Sequence, residues 1–193
     1  LVMHPAYSVI LFTTASGAGY GLLALLGLVG FNHGQASSVA FGIVAMLIGL
    51  ALVTVGLLSS TFHLGHPERA WRAFSQWRSS WLSLEGVAAV VTYAPALVFG
   101  LTWSGLVEAP QLIGPSGLLM AAMAMVTVFC TGKIYSTLKT IRAWHNPWTV
   151  WVYLAFALAT GFSGLLVARV MTGIGVSACL MAPLTGFQRW MAP

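Results

Sequence analysis

Residues 59–86 read SSTFHLGHPERAWRAFSQWRSSWLSLEG and separate two long apolar runs of the chain. This stretch holds two of the three acidic residues, three arginines and two of the five histidines. Charged side chains are costly inside a bilayer, whereas apolar runs of about 20 residues cross it as helices. We therefore interpret the stretch as a polar connection at a membrane surface between two transmembrane helices, and we expect the chemistry of the protein there.

The composition of the 193-residue chain is that of an integral membrane protein. Hydrophobic residues make up 59% of it, charged residues only 6%, and the mean hydropathy is +0.90, whereas soluble domains have roughly 25% charged residues. The net charge of +5 does not indicate a nucleic-acid partner, because the basic residues are spread thinly over loops and a tail. The first apolar run lacks a preceding basic segment, so we expect no cleavable signal peptide.

Five apolar runs are long enough to cross a bilayer as helices. They extend over about 7–30, 39–62, 82–103, 117–135 and 148–170. The sequence therefore predicts an all-α integral membrane protein, with one bundle of about five transmembrane helices in residues 1–171. Residues 172–193 contain prolines and glycines and are predicted to form an irregular tail.

The connection between the second and third spans carries aromatic residues at spacings of three and four: Trp71, Phe74, Trp77 and Trp81. This period predicts a short amphipathic helix lying in the membrane interface. Its aromatic side chains either anchor it in the bilayer or form a wall of a binding pocket.

Glycines in the first two spans predict close helix packing. Gly17 and Gly21 have the GxxxG spacing, and Gly42, Gly49 and Gly56 recur every seven residues. Contact of the first-span glycines with a bound cofactor is the alternative.

Glu85 lies just inside the third span, where an acid is expected to be paired, protonated or functional. His63 ends the second span, so a helical hairpin brings both groups to one membrane face. Such a pair suits a quinone, whose two carbonyls need hydrogen-bond partners and a route for two protons. The alternative is that His63 caps its helix while Glu85 forms a salt bridge with Arg69, Arg72 or Arg78.

Metal and haem sites are not predicted. Two isolated cysteines, Cys130 and Cys179, cannot supply a zinc or iron–sulfur ligand set. A membrane haem needs two histidines facing each other within the bilayer. The five histidines all lie at or beyond the ends of spans: His4, His33, His63, His66 and His145. Transport and a purely structural tether remain as rival functions, although the sequence has neither paired interrupted helices nor a charge near the midplane.

Three motifs carry a family resemblance. They are HPAYSVILFTTASGAGYGLL (4–23), FHLGHPERAWRAFSQWRSSWLSLEG (62–86) and KIYSTLKTIRAWHNPWT (133–149). Together they resemble the membrane anchor subunit of the DMSO reductase family, over Met3 to about Val170.

The resemblance implies a non-catalytic subunit that has no haem or metal of its own. Such a subunit holds an iron–sulfur subunit and a molybdopterin catalytic subunit on the bacterial inner membrane, and it exchanges electrons with menaquinone or ubiquinone. By motif, the family's quinone-site histidine falls on His63 and its acid on Glu85. Arg69, Lys133 and Tyr135 match further family positions and are expected to support the site.

Two departures from the family pattern concern length and one side chain. The family has eight spans where this sequence predicts five, so we expect 172–193 to be a truncated or altered remainder of a longer bundle. Leu84 occupies a position where close relatives are expected to have arginine. The family includes quinol-fed reductases of S- and N-oxides and sulfite dehydrogenases that deliver electrons to quinone.

Basic residues predict the orientation of the bundle, because they gather in cytoplasmic loops. They lie in or beside the connections that follow the second and fourth spans: Arg69, Arg72, Arg78, Lys133, Lys139 and Arg142. The N-terminus and the face with His63 and Glu85 are therefore predicted to be cytoplasmic. A cytoplasmic iron–sulfur partner would resemble the sulfite-oxidising complexes, so the charge pattern favours sulfite oxidation.

Overall fold

The computed structural model of the protein describes residues 5–33, 38–61, 71–72 and 74–173. Five α-helices follow one another in these residues: α1 (Pro5–His33), α2 (Val39–Thr61), α3 (Trp81–Trp103), α4 (Ile113–Ser136) and α5 (Trp148–Met171). Each helix is long and apolar enough to cross a bilayer. The predicted all-α membrane class and the five spans are confirmed.

The largest difference from the predicted spans is at the start of α4, which begins at Ile113 rather than near residue 117. A short 3₁₀ turn, Pro110–Leu112, leads directly into it. Pro115 lies in the first turn of α4, where its missing N–H would have had no partner within the helix. The helix therefore continues through this proline towards its N-terminus, and the Ile113 side chain is buried.

Helix α1 lies at the centre of the bundle and packs against α2, α4 and α5, while α3 packs mainly against α4. Close crossings occur at glycines, as predicted. A methyl group on Gly21 would collide with the backbone of Ala157 in α5, and one on Gly27 would collide with the backbone of Gly117 in α4. The absence of a side chain at these points lets the helices approach closely.

The glycines at heptad spacing in α2 also lie at helix contacts. A Cβ atom on Gly49 would meet Leu23 of α1, and one on Gly56 would meet the backbone of Ser16. Gly42, near the start of α2, is covered by the indole ring of Trp103 at the end of α3. One face of α2 therefore contacts α1 and α3 through glycine.

The connection between α2 and α3 is described from residue 71, except for residue 73. Its described residues form a 3₁₀ turn followed by hydrogen-bonded turns up to Ser80, after which α3 begins at Trp81. The predicted short interfacial helix is therefore not confirmed. The aromatic side chains of this connection and of Trp81 are nevertheless exposed.

The two basic connections lie at the same end of the bundle, since successive helices run in opposite directions. The Nζ atom of Lys133, near the end of α4, lies 5.9 Å from the ring centroid of Trp81 at the start of α3.

A further basic residue, Arg169, lies at the other end of the bundle. Its guanidinium carbon lies 3.9 Å from the ring centroid of Phe41, and its Nε atom has no hydrogen-bond partner within the described part of the chain.

Candidate functional site

Glu85 lies on the second turn of α3 with its side chain directed into the bundle, where the residue is only 4% exposed. Its carboxyl oxygen Oε1 accepts a hydrogen bond from Oγ1 of Thr131 in α4. The same hydroxyl oxygen lies 3.1 Å from the backbone carbonyl oxygen of Thr127. A buried acid is thus held between two helices by a hydroxyl group that has two possible acceptors.

This arrangement accommodates both protonation states of the carboxyl group. A threonine hydroxyl has one proton to donate but can accept as well. When Glu85 is ionised, the Thr131 hydroxyl donates to it. When Glu85 is protonated, the acid donates to Thr131, and the hydroxyl proton turns to the Thr127 carbonyl oxygen. The acid can therefore gain or lose a proton without leaving a buried polar atom unpaired.

Further polar side chains surround the carboxyl group inside the apolar bundle. The phenols of Tyr20, Tyr135 and Tyr153 and the thiol of Cys130 lie in the neighbourhood of Glu85. The rings of Tyr135 and Tyr153 stack with their centroids 5.3 Å apart. The Tyr20 hydroxyl is buried and has no hydrogen-bond partner among the described residues.

A groove of about 250 Å³ lies on the α1, α4 and α5 side of this cluster. We call it the hydroxyl groove, because seven of its lining residues carry hydroxyl groups. These residues are Thr13, Thr14, Ser16, Tyr20, Thr131, Tyr153 and Thr160. Gly17 also lines it, and a Cβ atom on that residue would have no neighbouring heavy atom within 4 Å. Thr131 therefore contacts Glu85 and also lines this groove.

Two of the three predicted supporting residues lie at the Glu85 end of the bundle. Lys133 is placed over the rings of Trp81 and Phe129, on the α3 side of α4. Tyr135 stacks on Tyr153 of α5, and Trp144 in the connection before α5 packs edge-on against it, with ring centroids 5.1 Å apart. The third, Arg69, and His63 itself lie outside the described residues, so the predicted pairing of His63 with Glu85 stays a prediction.

The alternative salt bridge of Glu85 is not formed with the two described arginines of the connection. Arg72 and Arg78 are both exposed, and their guanidinium groups lie over the rings of the preceding tryptophans, Trp71 and Trp77, at 5.6 and 5.0 Å. The ring of Phe74 instead approaches Gly86, the residue after Glu85. The buried acid is therefore stabilised by a neutral hydroxyl group rather than by these cations.

Within the described residues no group of three or more histidine, cysteine or acidic side chains could hold a metal ion. Cys130 is a buried free thiol. The Nδ1 atom of His145 lies 2.8 Å from the backbone carbonyl oxygen of Ser136, so this histidine links the loop after α4 to the end of that helix.

Thr131 and Tyr20 belong to the site but were not predicted from the sequence. One signal for Thr131 was available, because Thr127, Thr131 and Tyr135 follow one another at a spacing of four along a mostly apolar helix. Residues at this spacing share one helix face. Tyr20 had no comparable signal, since one tyrosine among glycines and leucines does not indicate the direction of its hydroxyl.

The fold and the buried acid together define a multi-pass membrane protein with a candidate proton-transfer site near one membrane face. The family described as "DMSO reductase anchor subunit (DmsC)" matches residues 3–186. The chain belongs to this family of membrane anchor subunits.

Curated relatives fall into two groups. A sulfite dehydrogenase subunit of Allochromatium vinosum is 35% identical over 189 residues, which cover 90% of this chain and 57% of the relative. The anaerobic dimethyl sulfoxide reductase protein YnfH of Escherichia coli is 33% identical, and the match covers 62% of this chain and 41% of YnfH. Another anaerobic dimethyl sulfoxide reductase protein of the same organism is 25% identical, with 72% and 47% covered.

The chain spans about half the length of these curated relatives. No solved structure matches it.

Proposed function

We propose that this chain binds quinone or quinol near Glu85 and passes electrons between the membrane quinone pool and a catalytic partner. That partner would comprise an iron–sulfur subunit and a molybdopterin subunit, as membership of the anchor family suggests. The observation that carries the proposal is the buried Glu85 carboxyl group, hydrogen-bonded to Thr131 beside the hydroxyl groove. An acid in an apolar span is costly and usually functional.

With an iron–sulfur partner, protons and electrons would come from different groups, because iron–sulfur clusters transfer electrons only. Conversion of a quinone to a quinol takes two electrons, which the iron–sulfur partner would supply, and two protons, one at each carbonyl oxygen. Glu85 is suited to exchange one proton because its hydrogen bond with Thr131 serves both of its protonation states. His63 is the proposed second group, since imidazole titrates near neutral pH. In quinol oxidation the same groups would accept the protons.

The direction of electron flow is proposed from two observations. The sulfite dehydrogenase subunit is 35% identical over 90% of the chain, and the basic connections lie at the Glu85 end. If that end is cytoplasmic, the catalytic subunits are cytoplasmic as well, which favours sulfite oxidation with delivery of electrons to quinone. Quinol-fed reduction of DMSO or another S- or N-oxide is the second candidate, supported by the similarity to the dimethyl sulfoxide reductase proteins.

Equilibrium binding of a quinone tests the proposal directly. We expect a radiolabelled short-chain ubiquinone, or its menaquinone analogue, to bind the assembled complex with one saturable site. His63→Ala should weaken this binding at least 10-fold, which corresponds to the loss of one hydrogen bond to a carbonyl at the upper end of its range. His145→Ala is the matched control at the same end, because His145 is exposed and bonded to backbone.

Unchanged affinity in His63→Ala would remove this histidine from the site. Absence of saturable quinone binding in the unmodified complex would favour a transporter or a structural tether instead.

The proposed orientation can be tested with two introduced cysteines. In a background of Cys130→Ala and Cys179→Ala, a membrane-impermeant maleimide is added to intact spheroplasts carrying Ser75→Cys or Gln111→Cys. Both positions are exposed and lie at opposite ends of the bundle. We expect Gln111→Cys to be modified and Ser75→Cys to react only after permeabilisation. The reverse pattern would place the Glu85 end outside the cytoplasm and remove the topological reason for preferring sulfite oxidation.

A further inference from the structure

The hydroxyl groove differs from an ordinary gap between membrane helices in its lining. Seven hydroxyl-bearing residues face a space of about 250 Å³. A second groove of similar volume, near Trp103, is bounded almost entirely by apolar side chains. Five of the seven hydroxyl groups bond to backbone carbonyl oxygens of their own helices: those of Thr13, Thr14, Ser16, Thr131 and Thr160. A ligand with polar atoms would therefore be oriented by the few donors that remain.

One of these hydroxyl groups can donate a hydrogen bond to a ligand. Tyr20 is 2% exposed, and its hydroxyl oxygen has no hydrogen-bond partner among the described residues. A buried hydroxyl without a partner costs about 1–3 kcal/mol, so such groups are rare unless something binds them. Tyr20 lines the groove together with Thr131, the hydrogen-bond partner of Glu85.

The groove has open space and an opening at the surface of the described helices. A Cβ atom on Gly17 would meet no neighbouring heavy atom, in contrast to the crowded glycines of the helix crossings. On the α5 side, Phe156 and Thr160 line the groove and are themselves exposed. A flat ring could therefore sit beside Gly17 while an attached isoprenoid chain passes out between α1 and α5 into the bilayer.

We propose that the hydroxyl groove holds the quinone headgroup, with the Tyr20 hydroxyl donating a hydrogen bond to one carbonyl oxygen and Thr131 separating the ring from Glu85. This inference rests on the proposed function. It adds the position of the quinone ring and the tyrosine that orients it. A volume of about 250 Å³ is below the roughly 300–1,000 Å³ typical of pockets for drug-sized ligands, and it suits a headgroup of one or two rings rather than a whole lipid.

The test fills the groove without disturbing the helix crossings. We expect Gly17→Leu in the assembled complex to weaken binding of the radiolabelled short-chain ubiquinone, or its menaquinone analogue, at least 10-fold. Gly114→Leu is the matched control, because Gly114 is also helical, lies at the other end of the bundle, and would bring its Cβ atom only into ordinary contact with Phe31 at 3.8 Å. Gly114→Leu should bind quinone like the parent.

Tyr20→Phe provides a second variant that keeps the shape of the groove. Removal of one hydrogen bond should weaken quinone binding by roughly 3- to 10-fold. If Gly17→Leu fails to assemble, the quinone affinity of Tyr20→Phe becomes the test. Parental affinity in Tyr20→Phe would overturn the proposal.

Parental affinity in Gly17→Leu, combined with lost binding in His63→Ala, would place the ring elsewhere near Glu85 and leave the proposed function intact. Parental affinity in both variants would contradict a ring position in the groove and a role of His63, whereas only the absence of saturable quinone binding in the unmodified complex would contradict the proposed function itself. A phospholipid that copurifies in the groove and is not displaced by excess quinone would also overturn the inference.

Discussion

Gly21→Val is expected to prevent formation of the folded bundle. A side chain at this position would collide with the backbone of Ala157, and one on the facing Gly161 would collide with the backbone of Gly21. Extra atoms in a packed core typically cost about 1–3 kcal/mol when side chains can adjust. Here the obstructing atoms belong to the backbone of another helix, so we expect the cost to exceed about 3 kcal/mol.

The measurement is the yield of monodisperse protein in detergent, together with its thermal unfolding midpoint. Gly17→Ala is the matched control on the same helix, because a Cβ atom there meets open space. We expect this control to unfold at or above the parental temperature, since alanine favours a helix over glycine by roughly 1 kcal/mol. A Gly21→Val protein with the midpoint of the control would contradict the close α1–α5 crossing.

The sequence predicted the helices better than their contacts. Apolar runs of sufficient length give the number of spans directly, because the bilayer fixes the length of a helix. The GxxxG spacing correctly indicated close packing in α1, but it treated its two glycines as equivalent. In the structure Gly21 lies at a backbone crossing and Gly17 faces a groove. That difference arises from the rotation of α1 relative to α5, which no spacing within one helix encodes.

The candidate site was predicted only in part for a similar reason. Glu85 could be identified because an acid in an apolar run is costly wherever it points. Its hydrogen-bond partner Thr131 lies 46 residues further along the chain, and the contact depends on how α3 packs against α4. Threonine is common in membrane helices, where it often bonds to its own backbone. The partner therefore becomes apparent only when the helix pair is formed.

Glu85→Gln is expected to slow electron exchange with quinone by about 100-fold or more. General acid–base groups contribute typically 10²–10⁴-fold to proton-coupled steps, and glutamine cannot gain or lose a proton near neutral pH. The substitution preserves the size of the side chain, and the amide oxygen can still accept the hydrogen bond from Thr131. Assembly and folding should therefore be unaffected.

Glu108→Gln is the control for the removal of an acid. Glu108 is exposed in the connection between α3 and α4, at the opposite end of the bundle from Glu85. Its substitution should change quinone-linked turnover by less than 2-fold, as roughly expected of a surface change far from the site.

The contribution of Glu85 to the reaction with quinone can be measured separately from the activity of the catalytic partner. The most direct measurement is the ratio of quinone-linked to artificial-dye-linked activity in the assembled complex, because the dye bypasses the membrane anchor. We predict that Glu85→Gln lowers this ratio about 100-fold or more, with dye-linked activity at the parental level. A Glu85→Gln complex that exchanges electrons with quinone at the parental rate, at parental dye-linked activity, would contradict a role of Glu85 in proton exchange.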